Sequence, residues 1–337
     1  MIRRCLYIFF AFLLLNSCKT DFPLNAPYKQ IDVIYGLMDN GSRNDTAHYG
    51  AIQYIKINKA FQNTGNTNAN TLAGNPDTTN ITDSMYVTLQ PYVNGSPTHS
   101  PYVLNKIDSI PKNPGLFSSP FQYLWRTPPG FVLNPNATYV LLVKDITTGN
   151  KDSSSTIVVQ SVAPFRYPAA NSNVDFTRTL GSLLIEFNAA NNAVTYNLTL
   201  EIFYTETKNA NHKNVNHLEL DYPILSSVDP SSLGLESVGG AAFYNFLGAH
   251  ISIDTTVSRR IDSFYVSSQA AGQQLFNYID VNSPSIGVTQ KTANYTDISN
   301  GAGIFSSRCT DIIKLLPGGI LIKNLATDSA TVSLGFK

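Results

Sequence analysis

The sequence shows no pattern of residues that points to acid–base catalysis. It has five glutamates, and two of them, Glu186 and Glu201, fall in strand-like segments on the side away from the apolar residues. We therefore expect both to be exposed to solvent. A glycosidase needs two carboxyl groups at a fixed separation across a cleft. The sequence shows no such pair, although a pair assembled from distant Asp and Glu residues stays open as an alternative.

Motifs for metal or nucleophile chemistry are also missing. His212 and His217 are five residues apart in a polar stretch, which fits neither the H-E-x-x-H motif nor the spacing of zinc fingers. We predict that they are solvated loop histidines. The chain has no G-x-S-x-G motif, and the two glycines of residues 301–303 predict a tight turn rather than a dinucleotide-binding loop. We expect no catalytic residue, no metal site and no cofactor.

The N-terminus has the layout of an export signal. Arg3 and Arg4 precede a ten-residue apolar run at residues 6–15. A helix that crosses a membrane needs ~20 such residues, so this run is too short to span. Basic residues, a short apolar run and a small residue, Ser17, are typical of a cleaved signal peptide. We predict that residues 1–17 are removed.

Cys18 is the one residue whose surrounding sequence predicts a specific reaction, the covalent attachment of lipid. The sequence L-N-S-C ending at Cys18 resembles a lipobox, with Asn16 in place of the usual small or apolar residue. We predict acylation (palmitate) at Cys18 and a tether over residues 18–27; an ordinary secretory signal with an incidental cysteine is the alternative. Lys19, and not Asp, follows Cys18, which favours the outer membrane. The sequence leaves the periplasmic or cell-surface face open.

A short Asp-Ser/Thr pattern recurs along the chain. The tripeptide D-[ST]-[small or apolar] resembles the O-glycosylation acceptor of exported proteins in Bacteroidota, and it occurs more often than we expect by chance. Several copies fall in predicted loops, which a glycan transferase can reach. The predicted acceptor hydroxyls are those of Thr46, Thr78, Ser84, Ser109, Thr255 and Ser329.

Composition limits the classes of partner. The chain has 23 basic and 23 acidic residues, and loss of Arg3 and Arg4 leaves a small excess of acidic residues. Nucleic-acid binding needs a basic field, so we exclude it. Charged residues make up only 14% of the chain, and such an uncharged polar surface suits neutral ligands such as glycans.

After cleavage, Cys309 has no cysteine partner if Cys18 is acylated, and we expect it to be buried.

Alternation of apolar and polar residues with period two dominates the mature chain. Residues 85–93 and 195–204 show it most clearly, and turn clusters rich in Asn, Gly and Pro separate such segments. Many short strands at this spacing indicate a β-sandwich or barrel. We therefore predict an all-β fold.

Two sandwich-like domains are expected. The sequence L-N-P-N-A-T-Y ending at Tyr139 resembles the tyrosine corner of immunoglobulin-like sandwiches, in which the Tyr hydroxyl binds upstream backbone. A proline-containing stretch then predicts a boundary, with an immunoglobulin-like domain over residues 28–163 and a second β-rich domain over residues 164–337. In the second domain we predict short helices near residues 243–247 and 269–279, and a strand at residues 320–324.

Three stretches are similar to a group of Bacteroidota lipoproteins with a β-rich domain of unknown function. They are residues 31–37, 54–61 and 295–308, of which the last, with its N-G-A-G-I-F turn, is the most specific. The resemblance implies an envelope lipoprotein with an immunoglobulin-like first domain, and it implies no catalytic residue. We expect a non-enzymatic outer-membrane lipoprotein that acts as a binding or structural module for an envelope protein or glycan. The alternative is a polysaccharide-acting enzyme or accessory protein of the envelope.

Overall fold

The computed structural model describes residues 30–43, 52–60, 80–81, 84–111, 122–210, 214–228, 233–283 and 295–337. In this part of the chain, no helix combines the length and apolar character needed to cross a membrane.

Strands dominate the structure, and the predicted all-β fold of sandwich type is confirmed. Three short helices accompany the strands. In chain order the elements are β1 (Asp32–Asp39), β2 (Ser42–Arg43), β3 (Tyr54–Lys59), β4 (Met85–Val93), β5 (Ser96–Pro97), β6 (Tyr102–Val103), β7 (Asn105–Ile107), β8 (Leu124–Arg126), β9 (Thr138–Asp145), β10 (Lys151–Ile157), β11 (Asn173–Val174), β12 (Ser182–Asn188), β13 (Thr195–Lys208), β14 (Asn214–Val228), β15 (Leu233–Gly239), α1 (Gly240–His250), β16 (Val257–Ala271), α2 (Gln273–Asn282), β17 (Ala302–Pro317) and α3 (Gly319–Leu325).

The first half of the chain forms a two-sheet sandwich. One sheet has the order β1-β3-β8-β7, and the other has the order β10-β9-β4-β5 with β6 also on β4. The immunoglobulin-like type of this sandwich stays a prediction. Alternate side chains of each strand, among them Ile55, Leu89, Trp125 and Leu141, fill the space between the sheets.

The tyrosine corner predicted at Tyr139 is confirmed. The Tyr139 side chain is 1% exposed, and its hydroxyl accepts a hydrogen bond of 2.9 Å from the backbone N–H of Asn134. Since Asn134 lies five residues upstream, this bond fixes the chain where it enters β9. The corner therefore fixes the start of β9, which lies between β10 and β4 in the second sheet.

The second half forms its own core. The strands β14, β13, β16 and β17 lie side by side, and the short pair β12–β15 covers them on one face. Phe187, Tyr196, Phe264 and Leu315 fill the space between, together with the buried side of α1, which follows β15 directly. The predicted β-rich character with short helices is thus confirmed.

Strand β17 belongs to both halves. Its first part pairs in parallel with β1, from Val33 opposite Ala302 to Asp39 opposite Arg308. Its second part pairs in antiparallel with β16, up to Phe264 opposite Leu315. As a result one large sheet runs through both halves, in the order β14-β13-β16-β17-β1-β3-β8-β7. The boundary after residue 163 stays a prediction, since the structure describes two cores joined by a shared strand.

The predicted strand at residues 320–324 is wrong, because this segment is helix α3. Leu321 and Leu325 are four residues apart and both are buried, so they form the inner side of a helical turn. The backbone N–H groups of Ile320 and Leu321 have no acceptor within the helix, and they donate to Oδ1 of Asp175 at 3.0 and 3.2 Å. A distant carboxylate therefore caps this helix in place of a local N-cap residue.

Candidate functional site

Helix α2 lies on the outer face of the large sheet, where the two halves meet. The N–H of Gly272 donates to the backbone oxygen of Ser307 at 3.0 Å, and the N–H of Leu275 donates to the hydroxyl of Ser306 at 3.0 Å. Both serines belong to β17, so the helix begins directly above the shared strand. No residue of α2 is fully buried. The helix therefore leaves open space between itself and the sheet on either side.

An aromatic cavity of about 510 Å³ lies on the side of α2 above β1 and β3. Tyr35, Tyr54 and Tyr278 line it together with Ile52. Tyr35 is 41% exposed and Tyr54 is 37% exposed, and the rings of Tyr35 and Tyr278 meet edge to face with centroids 6.4 Å apart. Burial raises the pKa of the Tyr35 phenol, and the adjacent Tyr278 hydroxyl adds to this effect. The Tyr35 phenol therefore stays protonated at neutral pH and can donate a hydrogen bond.

A second cavity of about 330 Å³ lies on the other side of α2, above β13 and β16. Thr195, Asn197, Gln269 and Ile279 line it. Asn197 and Gln269 are exposed, whereas Thr195 is 6% exposed. The Thr195 hydroxyl is buried and makes no hydrogen bond to any residue that the structure describes. A buried hydroxyl without a partner is uncommon in folded proteins.

Arg308 of β17 borders both cavities and connects them. Its Nε donates to Oδ2 of Asp39 at 2.7 Å, and Asp39 also accepts hydrogen bonds from the N–H of Gly41 and from Thr310. The Arg308 side chain is 38% exposed, and that of Asp39 is 11% exposed. The Asp39 carboxylate therefore fixes the Arg308 guanidinium from its buried side. We call the two cavities and Arg308 the α2 groove.

The pleat of the sheet explains why these side chains share one face. Side chains alternate along a strand, so Ile34 points into the first core while Tyr35 points outward. In the same way Tyr196 points into the second core, and Thr195 and Asn197 point outward. Because one sheet spans both halves, outward residues of β1, β3, β13, β16 and β17 all reach the surface beneath α2.

The residues predicted for covalent modification lie away from this groove or outside the described residues. Cys18, Thr46 and Thr78 fall outside the part of the chain that the structure describes. Glycosylation at the remaining acceptors stays a prediction, and their side chains are all exposed. These are Ser84, Ser109, Thr255 and Ser329.

Three expectations for polar or charged residues are corrected. Glu186 was expected to be open to solvent, but its side chain is only 16% exposed and forms a salt bridge of 3.0 Å with Arg166. Glu201 was also expected to be exposed, but the residue is half-buried and its Oε2 is out of contact with solvent.

His217 is exposed, as predicted, but it lies in β14 rather than in a loop, and its Nδ1 is 2.9 Å from the hydroxyl of Thr205. His212 lies outside the described residues. For Glu186 and His217, a neighbouring strand or segment supplies a partner that sequence spacing does not show.

A small polar cavity of about 370 Å³ lies at the start of β1. It is lined by Asp32, Asp152 and Asn300, among others. Asp32 is 5% exposed and Asp152 is 4% exposed. Within the described ranges, no group of three His, Cys, Asp or Glu side chains is placed to hold a metal ion.

No family model matches this chain, and a search of the curated proteins also finds no match.

Proposed function

We propose that this chain is a non-enzymatic lipoprotein of the outer membrane whose α2 groove binds a glycan. The observation that carries the proposal is the set of three tyrosines, Tyr35, Tyr54 and Tyr278, around one open cavity on a sheet face. A tyrosine ring offers an apolar surface for the C–H face of a sugar, and its hydroxyl offers a hydrogen bond at the edge. Such a surface suits a ligand that is itself both apolar and polar.

The polar side chains of the groove support the same ligand class. Asn197 and Gln269 line the second cavity, and both residues are exposed. Amide groups both donate and accept hydrogen bonds, as sugar hydroxyls do. The cavity volumes of about 510 and 330 Å³ fall in the range of small-ligand sites, which favours a few sugar rings over a protein surface. Strands hold most of these side chains, so the site is rigid before binding.

The proposal is tested by glycan-array binding of the mature chain with Cys18→Ser, followed by titration calorimetry on the best ligand. We expect Tyr35→Ala and Tyr278→Ala each to weaken binding by about tenfold or more, since each removes an aromatic contact surface. Tyr86→Ala is the matched control, because Tyr86 is 43% exposed on β4 and does not line the groove. Equal loss in the control, or no binding to any glycan, contradicts the proposal.

Anchoring at Cys18 has its own test. In cells, Cys18→Ser is expected to move the protein from the membrane fraction to the soluble fraction, because the acyl chains provide the attachment. Proteinase K treatment of intact cells then separates the two faces of the outer membrane. Digestion of the wild-type protein supports a surface position and capture of external glycans, and protection supports a periplasmic position. Wild-type protein free in the culture medium contradicts the lipid anchor.

The alternative of a polysaccharide-acting enzyme has one location to test. Asp32 and Asp152 border the same polar cavity, and a carbon added to Gly301 would lie 3.1 Å from Oδ1 of Asp152 and 2.8 Å from the backbone oxygen of Asp32. Both side chains are at most 5% exposed, so a sugar chain has little access to them. Release of reducing ends from a bound glycan, lost in Asp152→Asn, would favour the enzyme.

A further inference from the structure

Among the residues that the structure describes, the Arg308 guanidinium bonds through only one of its edges. Its hydrogen bond runs from Nε to Asp39, and its two terminal nitrogens make no hydrogen bond to any other residue in the described ranges. The side chain is nevertheless 38% exposed and borders both cavities of the α2 groove. Terminal guanidinium nitrogens match the two oxygens of a carboxylate in a bidentate pair. The groove thus contains an unused binding edge for an anion.

The placement of the two charged side chains in the groove favours an anion at this edge. Among the described residues, Asp39 is the only carboxylate that lines either cavity. Its oxygens already accept hydrogen bonds from Gly41, Arg308 and Thr310, and its side chain is 11% exposed. The negative partner is therefore held deep and fully engaged, whereas the positive partner faces the groove.

A second observation points to a ligand at the same place. Thr195 lines the cavity that Arg308 borders, and its hydroxyl is buried with no hydrogen-bond partner among the described residues. A buried polar group without a partner is costly, and such groups occur where a bound molecule or water completes the bonding. Arg308 and Thr195 belong to β17 and β13, the strands on either side of β16. A ligand that spans β16 can bond to both.

We infer that the α2 groove binds an acidic glycan, with the carboxylate of a uronic-acid-type sugar paired with the terminal nitrogens of Arg308. A hydroxyl of the same or the adjacent sugar bonds to the Thr195 hydroxyl, and the rings of Tyr35 and Tyr278 contact the neighbouring sugar on the other side of Arg308. This inference rests on the proposed function, because it names the class of glycan that the groove takes. It adds that a negative charge on the ligand is required.

The test compares acidic polysaccharides with their carboxyl-reduced forms. Polygalacturonate, alginate and hyaluronan are each titrated into the mature chain with Cys18→Ser, next to the same polymer after reduction of its carboxylates to hydroxymethyl groups, with neutral glucans and mannans as a third set. We expect at least one acidic polymer to bind, with loss of about tenfold or more after reduction, since a charged hydrogen bond is removed. Equal binding of the acidic and reduced forms, or binding of neutral glycans alone, overturns the acidic inference and leaves the glycan proposal standing. If none of the three sets of polymers binds, both the acidic inference and the glycan-binding proposal are overturned.

Two variants locate the carboxylate. Arg308→Gln is expected to bring the affinity ratio of acidic to reduced polymer close to one, which a purely structural role would not do. Thr195→Val keeps the shape of the side chain and is expected to weaken both forms severalfold without changing the ratio. Arg260→Gln is the control for charge, because the Arg260 side chain is 72% exposed and pairs with Asp262 outside the groove. An unchanged ratio in Arg308→Gln, or an equal change in Arg260→Gln, overturns the inference.

Discussion

Asp311 of β17 accepts the hydroxyl hydrogen of Ser161 at 2.6 Å, although the two residues are 150 positions apart in the chain. The other carboxylate oxygen of Asp311 accepts the N–H of Val162 at 2.8 Å. Asp311 itself is 2% exposed. The segment that leaves the first sandwich is therefore fixed to the strand that both halves share.

Asp311→Ala should lower the free energy of unfolding by ~2–3 kcal/mol, because it leaves the buried N–H of Val162 without an acceptor. Ser161→Ala leaves the Val162 bond in place. It removes the hydrogen bond to Asp311 and the one that the Ser161 hydroxyl accepts from the N–H of Ala163 at 2.9 Å, but that second bond is exposed and water can replace it. Its cost should therefore be only ~0.5–1.5 kcal/mol. Urea denaturation of both variants measures the difference. A loss below ~0.5 kcal/mol in Asp311→Ala, within the range of ordinary surface substitutions, would show that the contact is not stabilising.

Loss of the distant cap should destabilise α3. Asp175→Ala is expected to cost ~1–2 kcal/mol, because two N–H groups at the start of the helix lose their acceptor. Asp175→Asn keeps an acceptor oxygen and should cost less. Chemical denaturation measures both, with Asp108→Ala as a control at an exposed aspartate outside any helix. Equal effects of Asp175→Ala and Asp108→Ala would contradict the capping role.

The same helix shows what the sequence could not predict. The pattern at residues 320–324 has no N-cap residue before it, since Gly318 and Gly319 precede it, and the apolar residues fit a short strand as well as a helical turn. The deciding group, Asp175, is 145 residues earlier. A carbon added to Gly318 would lie 2.0 Å from the Asp175 carboxylate, so glycine is needed for the approach. Strands such as β4 and β13 were predictable, because the alternation of apolar and polar residues that identifies them lies within each strand.

Stability should depend on pH through the pair of Arg178 and Asp328. Arg178 donates from Nε and Nη2 to the two oxygens of Asp328 at 2.7 Å each, and these bonds lower the pKa of the Asp328 carboxyl. A carboxyl with a lowered folded pKa stabilises the fold above its unfolded pKa of about 3.9, and this contribution is lost as pH falls through the folded value. We expect Asp328→Asn to be less stable than wild type at pH 6 and to approach it below about pH 3.

Thermal unfolding from pH 2.5 to 7 measures this dependence. Arg178→Gln should give the same pH profile as Asp328→Asn, and the double variant should lose little more than either single variant, since both remove one interaction. A difference between wild type and Asp328→Asn that stays constant over this range would contradict the assignment.

Cys309 should react with thiol reagents only after the protein opens. Its side chain is 0% exposed in the second core, and burial raises the pKa of the thiol, with the nearby Asp311 adding to the effect. The reactive thiolate is therefore rare and also inaccessible. Labelling of the Cys18→Ser mature chain with Ellman's reagent should be slow in buffer and complete in denaturant. Rapid labelling in buffer would show that this part of the core opens locally.

The α2 groove was beyond prediction for a different reason. Outward positions such as Tyr35 and Asn197 can be assigned from alternation within each strand. Which strands are neighbours cannot, because the parallel pairing of β1 with β17 joins residues about 270 positions apart. This long-range pairing brings Arg308 to Asp39 and to the cavity that Tyr35 also lines. The sequence predicted a β-sandwich that could bind glycans, but it did not predict the site.

The shared strand β17 also has a mechanical consequence. It pairs in parallel with β1 over seven residue pairs, from Val33 to Asp39. A force that pulls the start of β1 and the end of β17 in opposite directions acts along the two parallel strands. It therefore loads all the backbone hydrogen bonds between them at once, instead of breaking them one after another. A chain held by its N-terminal side would therefore resist tension best when the load is applied beyond β17, at the far end of the second core.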